Sequence, residues 1–561
     1  MCNAPVMDST MQRTPLLIST LLRYGAEAHP RSELITWTGS GARRITYREV
    51  GAKAAQLAHA LRGIGITGDQ RVGTFMWNNA EHVIAYLAVP SMGAVLHALN
   101  IRLFPEQLAY VARHGGSEVV IVDDSLAESF SKLLPALTRV RHVVVNGPVP
   151  AEVRDALAAP AHVEAVHDWA EFLDGQPETF EWPDVDENDG CAMCYTSGTT
   201  GSPKGVVYSH RSNYLHSLTA VSMLGIGQPD RLLIVVPLFH ANAWGYPYSA
   251  MISGASLVLP DRYLQPEPLA RMIADLKVTG GAGVPTVWNG LLQQLEHEPV
   301  DVSSCRFLMV GGAAAPPAML RAFPEKFGIE MVQGWGMTEM SPVGSLALAP
   351  GDVAPDSPDY WRYRESQGRL LCGVQGRLAG PDGSLQPADG ESVGELEVRG
   401  PWITGSYYAN GSESEAELAD MASKFDDGWL RTGDVGSLTD DSYLVLTDRA
   451  KDVIKSGGEW ISSVDLENAI MGHPDVLEAS VIGIPDDKWQ ERPLATVVLK
   501  EGATATAGDL RAYLAGKVAR WQLPDKWAVI DEVPKTSVGK FDKKTLRQRF
   551  ADGALEVREV D

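Results

Sequence analysis

Cysteine is scarce: five residues in 561, at Cys2, Cys191, Cys194, Cys305 and Cys372. An odd, sparse set gives no disulfide framework. The spacing Cys191-x-x-Cys194 has no second half at zinc-site distance, so no metal or redox centre is expected there. Positive charge is also short, with 48 Lys and Arg against 71 Asp and Glu and a formal charge of −23. That balance argues against nucleic acid as a partner, because its binding needs a basic footprint. A basic, apolar leader is missing: the first residues, MCNAPVMDSTMQ, have neither a charged n-region nor an apolar core and are not a signal peptide. Long apolar runs are nearly absent too. The exception, Leu232 to Pro260, carries no formal charge if His240 is neutral and is long enough to cross a bilayer. Pro237, His240, Asn242, Gly245, Pro247 and Gly254 interrupt it, so the better reading is a buried strand, loop, helix and strand, with no integral membrane segment.

What is present is globular: 45% apolar and 21% charged residues, with 54 Gly and 35 Pro. The length suits several folding units. From about residue 14 to 190 helix and strand patterns alternate. Thr46-x-x-Glu49 predicts a helix start, and Val50, Ala54, Leu57 and Leu61 continue it to Gly63. Strands are predicted at Arg71–Trp77, Ala94–Leu99, Glu118–Val122 and His142–Val145, with a helix at Glu81–Met92. Such alternation predicts a parallel, doubly wound α/β sheet. Residues 191 to 345 repeat the logic, with strands at Leu232–Val236, Ser256–Leu259 and Phe307–Val310. Glycines from Gly376 to Gly394 punctuate short strands, so 370–447 reads as a β-rich subdomain. After Lys451 comes a compact α+β module. The expected division is a loose tail at 1–13, a large domain at 14–448, a hinge at 449–452 and a small mobile domain at 453–561.

The strongest chemical signal is Tyr195 to Val206, YTSGTTGSPKGV. Gly198, Gly201 and Gly205 let backbone N–H groups close around phosphate oxygens. Ser197, Thr199 and Thr200 add hydroxyl donors, and Lys204 adds charge. It is not a Walker A loop, because Gly205 follows the lysine.

This loop resembles the phosphate loop of the adenylate-forming superfamily, which includes acyl-CoA synthetases, peptide-synthetase adenylation domains and beetle luciferases. Further segments resembling that family follow in order: Pro237 to Gly245 (PLFHANAWG), Gly311 to Pro316 (GGAAAP), Gln333 to Glu339 (QGWGMTE), Trp429 to Asp434 (WLRTGD), Asp448 to Asp452 (DRAKD) and Pro534 to Lys540 (PKTSVGK). The resemblance spans about residues 14 to 550. It is strongest to soluble bacterial fatty acid–CoA ligases, including 3-methylmercaptopropionate–CoA ligases, through Lys455 to Glu467 (KSGGEWISSVDLE).

The resemblance implies a two-step enzyme: a carboxylate and ATP give acyl-AMP and pyrophosphate, then CoA takes the acyl group and AMP leaves. It also implies roles. Glu339 with Thr196 would hold Mg2+, Thr338 would touch the α-phosphate, and Trp335 would offer a face to adenine, lined by Gln333, Gly334 and Gly312. Asp434 and Arg449 would take the ribose. Lys451 is the hinge position, and Lys455 and Trp460 would contact the adenylate. Lys540 would reach the acid and the α-phosphate. His240 and Ala241 would lie at the acid, Trp244 would gate an acyl tunnel running past Gly245 and Gly283, and Gly457 and Gly458 would let CoA pass. Singly, each has an ordinary reading: core for Trp335, a solvated charge for Glu339, a turn for Asp434, a surface ion pair for Arg449. Only the ordered set selects the site. A medium- to long-chain fatty acid is the expected substrate; the alternatives are a short or unusual acid (thioether, aryl or sterol side-chain), transfer to a carrier protein, or a non-catalytic acyl-nucleotide sensor. A cytoplasmic homodimer is expected from the same resemblance.

Overall fold

A computed structural model describes residues 7, 9–196, 203–380, 382–449, 452–456, 459–486, 488–536 and 541–560; of Lys455, Glu459 and Trp460 only the backbone is described. Three sheets organise the chain. The first has seven strands in the order Ala165–Asp168, His142–Asn146, Ser117–Asp123, Arg71–Phe75, Val95–Ala98, Gly190–Tyr195 and Gly205–Ser209. All its pairings are parallel except the last, which is antiparallel. The predicted helix start is present as a full capping box: Glu49 N–H donates to Thr46 Oγ1 at 3.3 Å and Thr46 N–H to Glu49 Oε2 at 2.8 Å.

The second sheet has fifteen strands. It holds two features that the strand pattern left unplaced. Glu33–Trp37 and Ala42–Thr46 pair with each other and join this sheet through Leu34, which pairs with Leu257. Leu34 and Ile35 are both fully buried, which suits a strand covered on both faces. The strands of the β-rich stretch 370–447 continue this sheet. Gly368–Leu370 pairs with both Val343–Leu346 and Tyr443–Arg449, so the ladder continues through it. The apolar run resolves into the strand Arg231–Ile234, a tight turn at Ala241–Gly245, the helix Tyr246–Ser253 and the strand Ser256–Leu259. Among the described residues no helix is long and apolar enough to cross a membrane.

The third sheet has six strands and belongs to the C-terminal part, with Val476–Asp486 and Gln490–Leu499 as its longest pair. Its first helix, Ser463–Met471, is tied to the second sheet. Ser463 N–H donates to Asp448 Oδ2 at 2.8 Å, and Ser462 Oγ donates to Thr447 O at 2.6 Å. Between the C-terminal part and the larger body lies a cleft of about 3310 Å3.

Candidate active site

The strands Gly190–Tyr195 and Gly205–Ser209 form a hairpin at the edge of the first sheet, with Tyr195 opposite Gly205. Beyond that pair, Thr196 N–H donates to Lys204 O at 2.9 Å and Lys204 N–H donates to Thr196 Oγ1 at 3.1 Å. The two predicted phosphate-site residues thus face each other across the base of the loop. Ser197, Gly198, Thr199, Thr200 and Gly201 lie outside the described residues. The Lys204 ammonium meets Asp420 at 2.7 Å, and that bond holds the Asp420 carboxyl below its usual range. Gly205 sits in tight packing: a Cβ there would stand 3.1 Å from the Tyr195 ring and 3.2 Å from Tyr408 Cβ.

Thr338 and Glu339 occupy a single helical turn, Thr338–Met340, after the strand Glu330–Gly336. Tyr208, on the phosphate hairpin, donates its hydroxyl to Thr338 O at 2.7 Å. Glu339 is buried and accepts from Tyr407 Oη at 2.6 Å. Burial, with Glu339 beside it, raises the Tyr407 hydroxyl far above its ordinary pKa, so it stays a donor. Tyr408 N–H donates to Gly205 O at 2.8 Å. One short segment, Tyr407–Tyr408, therefore ties Glu339 to the phosphate hairpin. A buried carboxylate and a threonine hydroxyl are hard oxygen donors, and such a small set suits Mg2+, which keeps waters and phosphate oxygens as its other ligands. Among the described residues no group of three or more His, Cys, Asp or Glu side chains could cage a metal alone.

The ribose end is built by strand register. Trp429–Leu438 and Tyr443–Arg449 run antiparallel and place Asp434 opposite Arg449. Arg449 Nε sits 2.7 Å from Asp434 Oδ1, and Asp434 raises the guanidinium pKa further. Trp335 Nε1–H donates to Asp434 Oδ2 at 2.8 Å. Each carboxylate oxygen carries two acceptor sites, so capacity for two hydroxyl donors remains. The Trp335 ring packs over Gly344, where a Cβ would stand 2.8 Å away. Gln333 lines the cleft, and its side chain also braces the wall. Its amide oxygen accepts from Ala315 N–H and its amide nitrogen donates to Ser366 O, both at 2.7 Å. Its side chain fixes the Gly311–Pro316 segment; Gly312, at φ +84°, and Gly334 then line the cleft with backbone.

At the acyl end, buried Asn78 donates to Ile234 O and Val236 O and accepts from Leu238 N–H, each at 2.8 Å. Five consecutive residues then hold left-handed backbone: Ala241 (φ 45°), Asn242 (56°), Ala243 (50°), Trp244 (52°) and Gly245 (76°). Four of them carry a Cβ, and such backbone costs about 1–2 kcal/mol per residue. The turn sets the half-buried Trp244 ring against Gly311, where a Cβ would meet Trp244 Cη2 at 3.0 Å. The acyl-side segment thus touches the nucleotide-side loop directly. His240, Ala241 and Trp244 line the cleft.

Gly245 and Gly283 are not part of that lining. A Cβ on Gly245 would stand 2.8 Å from His216 Nδ1, and one on Gly283 would stand 2.8 Å from the Trp288 ring. These glycines make room for neighbouring side chains, so they do not open a tunnel on those faces. Lys540, Gly457, Gly458 and Lys451 lie outside the described residues, as do the side chains of Lys455 and Trp460. The sequence reading missed Tyr407, Asp420 and Asn78; none carries a local pattern of its own.

Residues 22–408 match the AMP-binding enzyme family, and residues 465–540 match the AMP-binding enzyme C-terminal domain. Similar proteins include the 3-methylmercaptopropionyl-CoA ligase of Ruegeria lacuscaerulensis, 40% identical over 97% of this chain and 99% of its own. The long-chain-fatty-acid–CoA ligase of Thermus thermophilus is 41% identical over 97% of each chain. Among solved structures, the anthranilate CoA ligase AuaEII in complex with anthranoyl-AMP superposes with a TM-score of 0.85 at 27% identity, covering 96% of this chain and 99% of that one.

Proposed function

The chain belongs to the AMP-binding enzyme family, in its acyl-CoA synthetase branch of AMP-forming acid–thiol ligases, and from that premise we propose how this site works and on what. The acid oxygen attacks the α-phosphorus of ATP and pyrophosphate leaves. The CoA sulfur then attacks the acyl carbonyl and AMP leaves. The observation that carries this reading is one cleft lined at once by Thr196, Lys204, Trp335, Thr338, Glu339, Asp434 and Arg449 and by His240, Ala241 and Trp244.

Catalysis of the first step is positioning and charge neutralisation. Lys204 turns from Asp420 to the β- and γ-phosphates. Thr338 holds the α-phosphate, Asp434 takes the ribose hydroxyls, and Trp335 offers its face to adenine while its Nε1–H fixes Asp434. Glu339 and Thr196 would hold Mg2+, which supplies positive charge to the phosphates when bound. Lys540, carried by the small domain beyond the hinge 449–452, brings charge to the α-phosphate for adenylation. Gly457 and Gly458 pass the CoA arm for thioester formation. The protein works in the cytoplasm as a homodimer.

The acid is a medium- to long-chain fatty acid on this reading. One observation favours a second: the spaces at Gly245 and Gly283 are filled by His216 and Trp288, which suits a short acid such as a thioether propionate. A hydrophobic pocket distinguishes neighbours by only about 1–3 kcal/mol per methylene, so the ranking must be measured. AMP release is followed with ATP, Mg2+, CoA and acids from propionate to palmitate plus 3-methylthiopropionate, ranked by kcat/KM. The expected result is AMP whose steady release requires CoA, with kcat/KM rising with chain length. A maximum at the thioether acid selects the second reading, and absence of AMP with every acid removes both.

A further inference from the structure

We propose that Asn213 and Asn242, backed by the thiols of Cys191 and Cys194, form a clasp that positions the acyl gate. The proposal rests on the acyl reading of His240 and Trp244 given above. Its physical basis is the run of left-handed backbone from Ala241 to Gly245. Only Gly and Asn adopt that conformation readily, so something outside the turn must hold the two alanines and Trp244 there.

The holding contacts come from two elements. Asn242 is fully buried, and its Nδ2 donates to Asn213 Oδ1 at 2.6 Å. Asn213, fully buried on the helix His210–Leu224, donates its own Nδ2 to Cys191 Sγ at 3.2 Å. The backbone N–H groups of Asn242 and Ala241 face the Cys194 sulfur; Cys194 is on the hairpin strand itself, one residue before Tyr195, which pairs with Gly205 at the base of the phosphate loop. Burial pushes both thiols up to about 12, so they remain neutral acceptors at physiological pH. Ala243 N–H closes the turn onto His240 O at 3.1 Å.

The consequence is directional. Trp244 lies against Gly311 because the turn stays left-handed. Without the clasp the turn relaxes, and the Trp244 ring is free to leave Gly311. Asn213 and Asn242 touch neither acid nor nucleotide; they act through Trp244. The Cys191-x-x-Cys194 spacing, which serves no metal, acquires a role as two buried sulfur acceptors on one strand.

The test compares Asn213→Ala and Asn242→Gly with the wild-type enzyme. Asn242→Gly keeps the backbone freedom and removes only the clasp, so it folds even if Asn213→Ala does not. In both, KM for the acid is expected to rise about fivefold to tenfold, the size of one lost hydrogen bond. KM for ATP and kcat should stay within about twofold on the same grounds. Hydrogen exchange should quicken in peptides spanning 238–246 and not in those spanning 430–438. An acid KM unchanged in Asn242→Gly, or acid and ATP KM values rising together, overturns the positioning role. Unchanged exchange at 238–246 overturns the clasp itself, whatever the kinetics. If exchange quickens but the wild-type enzyme releases no AMP with any acid, the functional reading falls and takes the acyl role with it.

Discussion

The two ends of the cleft are built by opposite means. At the ribose end, charge is set by strand register: Asp434 and Arg449 are direct neighbours across an antiparallel ladder, and Trp335 completes the carboxylate's partners. At the acyl end, neutral groups hold a strained turn: amides, thiols and a neutral histidine surround Ala241–Gly245. The difference follows the ligands each end is proposed to receive. Ribose hydroxyls and phosphates are polar in every state and can be met by a pre-formed charge. An acyl chain gives no handle but shape, so its site must be shaped by backbone, and buried backbone in an unusual conformation needs many small neutral bonds.

The comparison breaks most visibly if charge is removed from the nucleotide side. Lys540→Ala should depress adenylation by about 10²–10³, the usual cost of losing a preorganised charge at such a centre. Thioester formation from synthetic acyl-adenylate and CoA should stay within a few-fold of wild type, since Lys540 is proposed to serve only the first step. Pyrophosphate release and acyl-CoA formation, measured separately, check this. Equal loss in both half-reactions would show that Lys540 supports the whole cleft and that the small domain does not alternate.

A smaller effect is expected within the ribose end. Asp434→Ala removes charge-assisted acceptors worth about 1.5–3 kcal/mol, so KM for ATP should rise roughly ten- to a hundredfold while KM for the acid stays nearly constant. Initial rates against ATP at fixed acid, and the converse, give both numbers. An unchanged ATP dependence would take Asp434 out of the site, and a parallel loss for the acid would mean that the two ends are not separate.

The same contrast governs what was legible beforehand. Asp434, Arg449, Trp335, Thr338 and Glu339 were named from sequence because they stand in short ordered segments, and the structure gathers them along one cleft. The local signals for Thr46–Glu49 and for most strands also held, because caps and β-branched runs are decided by near neighbours. The pairing of Leu34 with Leu257 was not legible, since more than two hundred residues separate them and either sheet would bury the strand. The continuity of the β-rich stretch with the second sheet was not legible for a similar reason: the link at Gly368–Leu370 is three residues long. At the acyl end the sequence showed small residues but not what fills their space. Gly245 and Gly283 looked like tunnel lining, yet His216 and Trp288, from other elements, take up that room. Tyr407, which holds Glu339 from 68 positions away, lies in a loop with no helix or strand period to mark it.

The smallest predicted effect tests whether the acyl end is truly neutral. His216 is fully buried, and its Nε2 accepts from Val343 N–H at 3.2 Å, so the ring is neutral; burial lowers its pKa to about 3. The unfolded chain takes up a proton near pH 6.5. As pH falls below about 6.5, the unfolded state gains a proton that the folded state refuses. The stability that His216 contributes is therefore intact above that pH and is lost progressively down to about pH 3. The slope is at most about 1.4 kcal/mol per pH unit. His216→Gln keeps an acceptor for Val343 and does not titrate. Between pH 7.5 and 5.5 its thermal midpoint should fall less than that of the wild type, by about one to three degrees. Other buried histidines whose pKa burial lowers, among them His82, His97 and His210, titrate alike in both proteins and cancel from the difference. An identical fall in both would mean that His216 already carries a proton in the folded state. A cation would then stand behind Gly245, and the acyl end would be held by charge as the ribose end is.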